Sequence, residues 1–399
     1  LSDVIRIAES DRFDRFRLIA WWDQPRLRAA RVLVVGAGAL GNEIVKNLAL
    51  LGVGNVLVAD MDTIEGSNLS RSVLFRAADC GRHKAAVAAA TAKQIYPDMR
   101  AQPFIGNVVY DLGLGVFRWA DVIIGGLDNR EARVAINRAA ARAGRSWIDG
   151  AIERLDGVAR VFTPASGPCY ECTMSDVDWK MLDARRSCAL LSRAEMMEGK
   201  VPTTPTTSSV IAGIQCQEAV KLLHGMDVMS GAGFVFNGVT HESYQVRYKR
   251  LPDCPSHDAD APVEVMPGRS DETSIRDMLE HVRRDLGPDA VLEFNQDLLS
   301  SLECATCGTR EPLLASLGKV TEAQGRCPRC GEHRIPHTFH TVDGSESFLD
   351  RSIREIGVPP WDVLAGRRGM EQRFYEFRAD SADVLGELAS PAEIGTTQP

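Results

Sequence analysis

Four cysteines in the second half of the chain stand as two Cys-x-x-Cys pairs, Cys304 with Cys307 and Cys327 with Cys330. Two thiolate knuckles at this separation predict a tetrahedral zinc site of the ribbon type. So small a unit has little core of its own, and metal binding supplies on the order of 10 kcal/mol to the folding of such units. A third pair, Cys169-x-x-Cys172 in GPCYEC, needs two distant ligands, and Cys254-x-x-His257 in LPDCPSH has the right spacing. Imidazole is an ordinary zinc ligand, so these four residues are a second candidate site, one that ties the end of a domain to its middle.

A different chemistry is written between Arg12 and Arg133. Gly36, Gly38 and Gly41 form GxGxxG between a strand-like RVLVV and a helical NEIVKNLALL. Glycines there permit a tight turn and let backbone amides at a helix N-terminus approach phosphate. Asp60 ends the next strand, where an acid meets ribose hydroxyls. This turn alone suits a nicotinamide or flavin enzyme as well as an ATP enzyme. SNLSR then places Asn68 and Arg71 one short loop on, GRHK sets Lys84 at a helix start, and GGLDN puts Asp128 after another strand end. Two cations and an acid converging on a glycine-rich turn suit a triphosphate with magnesium, a cluster that a dinucleotide does not need.

Three of the ten cysteines remain outside these sets among those with an argument of their own. Cys216, inside VIAGIQCQEAVKLL, falls in step with Val220 and Leu223 and is expected in the core. Cys80 precedes the Lys84 helix and is also expected to pack. Cys188 lies in RRSCAL, where Arg185 and Arg186 favour the thiolate, the nucleophilic form.

The elements that must carry these residues alternate. Strand runs at RVLVV, NVLVAD and WADVIIGG are followed by helical runs, with a helix expected over Lys84–Ile95 and stopped at Pro97. Such alternation predicts an α/β fold, a doubly wound Rossmann-like domain with a mainly parallel sheet. The organisation expected is an N-terminal helical arm (1–30), a nucleotide-binding domain (31–257) containing an irregular segment (173–207), a linker (258–270) and a smaller C-terminal domain (271–399) with the zinc ribbon at 301–335. Paired strands are expected within 233–250. In GVPPWDVLAG, Trp361 beside two prolines reads as an exposed turn, which makes the C-terminal unit a candidate docking module.

Composition restricts the function classes. The chain has 399 residues, 46 Lys and Arg against 54 Asp and Glu, and a net charge of −8. This balance argues against bulk nucleic-acid binding. No apolar run of about 18 residues spans a membrane, and the charged, aromatic opening residues do not resemble a secretory leader. Paired cysteines in such a chain read as metal sites rather than disulfides, and a cytoplasmic location is expected.

GAGALGNEIVKNLALLGVGNVLVADMDTIEGSNLSR, followed by GRHKA and GGLDNREAR, resembles the adenylation domain shared by ubiquitin-activating enzymes and the ThiF–MoeB-type sulfur-carrier adenylyltransferases of thiamine and molybdopterin synthesis. The likeness covers roughly residues 10–257 and points to a prokaryotic enzyme activating a ubiquitin-like modifier. It implies that Asp60 holds the ribose, that Asn68, Arg71 and Lys84 hold the phosphates, and that Asp128 holds magnesium with Asn129 beside it. Ser72 follows Arg71 where the family has glutamine, which removes one polar contact. Arg15 in DRFDRF matches the arginine that reaches across a dimer interface to the partner's ATP, so a homodimer is implied. The region of Cys188 resembles in position the crossover segment that carries a thioester-forming cysteine. The family also commonly has paired cysteines where Cys169, Cys172, Cys254 and His257 stand.

The activity implied is ATP-dependent adenylation of the C-terminal glycine of a ubiquitin-like protein, capture of the acyl group as a thioester on Cys188, and transfer to a conjugating enzyme. A sulfur-carrier adenylyltransferase, which needs no stable thioester, is the first rival. A nicotinamide-dependent oxidoreductase is the second, and a catalytically dead scaffold the third.

Overall fold

The computed structural model describes residues 11–164, 167–187, 202–257 and 262–389. Strands β1 (Arg31–Val35), β2 (Asn55–Ala59), β3 (Arg100–Phe104), β4 (Val122–Gly125), β5 (Trp147–Glu153), β6 (Asp156–Phe162), β7 (Ala232–Asn237) and β8 (Glu242–Arg247) form one eight-stranded sheet. Its order is β3-β2-β1-β4-β5-β6-β7-β8. The five strands from β3 to β5 are parallel, and β6, β7 and β8 are added antiparallel. Val32 pairs with Val56 on one side and Val122 on the other, so the chain leaves β1 in both directions. The crevice outside the carboxyl end of β1 is therefore the topological switch point, where doubly wound sheets bind ligands.

The helices are α1 (Gln24–Ala29), α2 (Ala39–Leu51), α3 (Lys84–Ile95), α4 (Leu114–Trp119), α5 (Arg130–Arg142), α6 (Asp176–Ser187) and α7 (Pro205–Leu223). They cover both faces, which is why RVLVV has no polar alternation. Val32 and Val34 enter one core with α2, α3 and α7, whereas Leu33 and Val35 enter another with α4 and α5. α2 ends where Gly52 turns left-handed at φ 77° and no side chain is needed to stop it.

The second unit is a six-stranded sheet. β9 (Val263–Val265), β10 (Val291–Cys304), β11 (Arg310–Ser316), β12 (Arg334–Val342), β13 (Val363–Arg368) and β14 (Glu371–Glu376) follow the path β11-β10-β13-β14-β9, with β12 also on β10. Helix α8 (Ile275–Leu286) buries Ile275, Met278, Leu279, Val282 and Leu286, a stripe at helical spacing, against this sheet.

Several local expectations change. Residues 258–270 were expected as a linker, but Val263–Val265 pairs with Phe374–Glu376, because a β-branched stretch beside an open sheet edge finds backbone partners. The segment 173–207 was expected to be irregular, yet α6 occupies its first half and α7 begins at Pro205, capped by Thr204, with proline at a helix start where no N–H is needed. The N-terminal arm is a short 3-10 helix (Asp14–Leu18) and α1, among the described residues. Trp361 is 3% exposed rather than displayed, since the second unit shares a core with the first. Cys80 is exposed rather than packed, whereas Cys216 is buried as expected.

Candidate active site

The first turn of α2 is the natural anion seat. Its N-cap is Gly38, which has no capping side chain, so the leading amides point out unpaired by any side chain and carry the positive end of the helix dipole. A Cβ placed on Gly38 would meet nothing within 4 Å, so the glycine leaves open space above those amides. Gly36 is there for another reason. It has φ 93°, and a Cβ on it would approach the carbonyl oxygen of Gly126 to 2.6 Å. The glycine-rich turn thus lies directly against the GGLDN loop that leads to Asp128.

Asp60 follows β2, and both carboxylate oxygens are held. Oδ2 accepts the Ala37 N–H at 2.7 Å and Oδ1 accepts the Asp62 N–H at 2.7 Å. Burial pushes its carboxyl above the usual carboxylate range, opposed by the nearby Lys84 and by these two backbone N–H groups. Lys84, the first residue of α3, donates to Asp62 Oδ2 at 2.9 Å, so the lysine is delivered to the same strand end. Arg71 donates to the Ser67 carbonyl at 2.7 Å. Asn68 is buried, and its Oδ1 accepts the Glu65 N–H at 2.9 Å, which closes the turn preceding Arg71.

Asp128 is exposed just beyond β4, with Asn129 Nδ2 at 3.4 Å from its Oδ1. Asn129 has a structural task as well: its Oδ1 accepts the Ala132 N–H at 2.8 Å and caps α5. Arg15 is exposed on the Asp14–Leu18 helix. Cys188 lies outside the described residues, while Arg185 and Arg186 fall within α6.

Two supporting residues had no role assigned from sequence. Asn42 is fully buried, donates to the carbonyls of Ala37 (2.7 Å) and Gly38 (3.0 Å), and accepts the Leu74 N–H (2.9 Å). It fastens the glycine-rich turn to the segment carrying Asn68 and Arg71. Arg133 donates to the Leu127 carbonyl at 2.6 Å and to Asp149 Oδ1 at 2.9 Å, fixing the residue before Asp128. Asp149 is itself buried between Arg133 and Arg160; burial opposes its charge, but the two guanidiniums hold its carboxyl below the usual range.

Both cysteine sets converge. Cys169, Cys172, Cys254 and His257 bring their ligand atoms within 4.8 Å of one another, as do Cys304, Cys307, Cys327 and Cys330. In the first set Cys169 Sγ lies 3.7 Å from Cys172 Sγ and 3.5 Å from Cys254 Sγ, and Cys172 Sγ lies 3.4 Å from His257 Nε2. In the second, Cys304 and Cys330 are 3.4 Å apart and Cys307 and Cys327 3.5 Å. A zinc tetrahedron with bonds of about 2.3 Å to sulfur has edges of about 3.8 Å. Both donor sets fit that ion. No helix of the described residues is long and apolar enough to cross a membrane.

The ThiF family domain matches residues 11–256, and the chain belongs to that family. It is 32% identical over 239 residues to the SAMP-activating enzyme E1 of Haloferax volcanii, a match covering 58% of this chain and 82% of that protein. Over 238 residues it is 31% identical to the sulfur carrier protein adenylyltransferase of Thermus thermophilus, covering 58% of this chain and 83% of that protein. The fold is also that of E. coli MccB solved with ATP, at a TM-score of 0.53 and 20% identity, over 63% of this chain and 74% of that one.

Proposed function

We propose that this chain is an ATP-dependent adenylyltransferase that activates the C-terminal glycine of a ubiquitin-like protein. The observation that carries the reading is the convergence, at one switch point, of an uncapped helix N-terminus, Asp60 held by the Ala37 amide, and the loops bearing Arg71, Lys84 and Asp128. Membership of the ThiF family supports it. The nicotinamide reading that the glycine-rich turn leaves open has no such support.

The glycine carboxylate attacks the α-phosphorus of ATP, the bond from that phosphorus to the bridging oxygen breaks, and pyrophosphate leaves. The product is a mixed anhydride of the modifier and AMP. Catalysis is positioning and charge neutralisation, because two anions must be brought into contact. The α2 amides, Arg71 and Lys84 receive the phosphates, Asn68 shapes their loop, Asp60 orients the ribose, and Asp128 is the magnesium ligand with Asn129 beside it. Magnesium held by Asp128 would supply positive charge to the pyrophosphate oxygens. Arg15 serves the partner's site in a homodimer, in the manner of an arginine finger.

In the second half-reaction the Cys188 thiolate attacks the acyl carbon, AMP leaves, and the thioester is passed to a conjugating enzyme. The similarity to a SAMP-activating enzyme favours this course. The similarity to a sulfur carrier protein adenylyltransferase favours the second reading, in which the adenylate serves sulfur transfer without a stable thioester. Zinc in the two four-ligand sets is structural in either case. ATP–pyrophosphate exchange with small β-grasp proteins ending in glycine tests adenylation, and a non-reducing gel of the same reactions separates the two readings. No exchange with any such protein would reject both.

A further inference from the structure

α4 has no capping side chain of its own, since its N-cap is Gly113. The cap comes from the second unit. Asp362 Oδ1 accepts the Leu114 N–H at 2.9 Å, and the Trp361 carbonyl accepts the Gly115 N–H at 2.9 Å. Trp361 takes φ 56°, a left-handed conformation that bulky residues rarely adopt, and it does so while almost fully buried. Gly113 and Gly115 make room for it. A Cβ on Gly113 would come within 2.6 Å of the Trp361 carbonyl oxygen, and one on Gly115 within 2.5 Å of the indole nitrogen. The indole N–H donates to Glu376 Oε1 at 2.9 Å, and Arg118 of α4 lies 3.5 Å from the other oxygen of that carboxylate.

The chain between β3 and α4, residues 105–113, is held by the same unit. It begins beside the ribose acid, because the Asp60 N–H donates to the Phe104 carbonyl at 3.1 Å. Midway, the Tyr110 carbonyl accepts Gln296 Nε2 at 3.0 Å. The Tyr110 ring system lies against Gly318, where an added Cβ would be 2.8 Å from the Tyr110 Cβ. The Tyr110 hydroxyl donates to Glu131 Oε1 at 3.0 Å, in the first turn of the helix that follows Asp128. This loop therefore runs across the ligand-binding edge of the sheet, with its outer side clamped to β10 and to the turn after β11.

The sheet order says which part of a nucleotide meets it. With phosphates over the β1 turn and ribose at the end of β2, the base extends toward the next strand, β3. The geometry points to the second unit as a structural component of the nucleotide site: it positions the 105–113 loop as the base-side wall, and Trp361 and Asp362 are positioning residues for adenylation. This rests on the adenylation reading above. It differs from a docking module attached by a linker, because the second unit supplies a helix cap and a buried tryptophan to the first.

The test uses the full, metal-loaded chain and titrates ATP and GTP by calorimetry. Measurable ATP binding by the unaltered chain secures the reading on which the inference rests; no ATP binding there rejects the adenylation reading itself. With binding established, Asp362→Ala, which removes the acceptor of both the Leu114 N–H and Asn295 Nδ2, weakens ATP about tenfold and narrows the preference for ATP over GTP. Asp362→Asn, which keeps an acceptor for the Leu114 N–H, restores most of the affinity. Gln296→Ala, which removes the hydrogen bond to the Tyr110 carbonyl, weakens ATP about threefold by the same arithmetic, and it decides the matter if Asp362→Ala does not fold. Folded variants with unchanged ATP affinity and unchanged nucleotide preference overturn the inference.

Discussion

Asn42 accepts the Leu74 N–H across 2.9 Å while its amide donates to the Ala37 and Gly38 carbonyls, so one fully buried side chain joins two loops of the candidate site. Asn42→Ala leaves a buried N–H and two carbonyls without that partner. The expected loss is about 2–3 kcal/mol of stability, with a rise in the ATP KM of pyrophosphate exchange that exceeds any fall in kcat. Urea unfolding and exchange kinetics measure the two effects. A stable variant with normal ATP KM would show that the loops keep their register without Asn42.

Asp128 is the reverse case. It is exposed and borders Asn129 rather than a core. Asp128→Ala changes stability by no more than about 0.5 kcal/mol, yet exchange falls by about 100-fold or more if this carboxylate holds magnesium against the leaving pyrophosphate. Thermal unfolding and exchange at saturating magnesium check both halves. Substantial exchange under those conditions rejects the magnesium role.

How legible this site was depends on whether a residue acts locally or through the fold. Asp60, Lys84 and Asp128 could be placed because each follows a strand end or opens a helix, Arg71 because it stands one loop beyond Asp60, and strand ends of a doubly wound sheet face one crevice. The parallel sheet itself was readable from alternating apolar runs. Asn42 was not, since its acceptors and donor are set by how a turn and a distant loop meet. The cap of α4 was hidden for the same reason: Leu114 and Asp362 are 248 residues apart. Trp361 was misread because proline neighbours signal a turn, and a turn can be buried when another domain closes over it. The ligand sets of the two cysteine clusters were legible because Cys-x-x-Cys spacing is a local constraint, and the fold had only to bring two knuckles together.

Arg15 sits far from the glycine-rich turn of its own chain. Phe13, two residues earlier, packs edge-on against Tyr96 at 5.5 Å between ring centroids, and its ring fills the space beside Gly52. Tyr96 and Gly52 terminate α3 and α2, whereas Lys84 and Gly38 begin them. α2 alone has 13 residues, a length of about 20 Å. If that arginine serves a nucleotide, it does so in trans. Arg15→Ala and Asp128→Ala are each expected to lose exchange, and mixing the two recovers about a quarter of the sites, those in which an intact Asp128 faces a partner's intact Arg15. Absence of recovery, with dimers present by light scattering, removes Arg15 from the mechanism.

Metal content tests the two donor sets separately. Native mass spectrometry is expected to give two zinc ions per chain. Cys307→Ser reduces the count to one by opening the β10–β11 knuckle, and Cys172→Ser reduces it to one by opening the cluster with Cys254 and His257. A count of two that survives both single substitutions would place the metal elsewhere.

The proposed second half-reaction turns on which thiol can be a thiolate. Cys216 cannot serve: it is buried, its Sγ lies 3.8 Å from the Ile44 carbonyl, and burial pushes its thiol up to about 12. At neutral pH almost none of it is nucleophilic. The seven cysteines of the two four-residue clusters, with His257, lie with their ligand atoms turned toward one another. Cys80 is exposed on the loop that leads to Lys84, so it is the competitor that must be tested beside Cys188. With a modifier that supports exchange, Cys188→Ala is expected to keep pyrophosphate exchange within about twofold, because no protein nucleophile enters the first step. The same variant loses the adduct that disappears with reductant, while Cys80→Ala retains it. An adduct that persists in Cys188→Ala and vanishes in Cys80→Ala reassigns the nucleophile. Absence of any adduct in the unaltered enzyme, despite rapid exchange, favours the sulfur-carrier course, in which the adenylate itself is the product handed on.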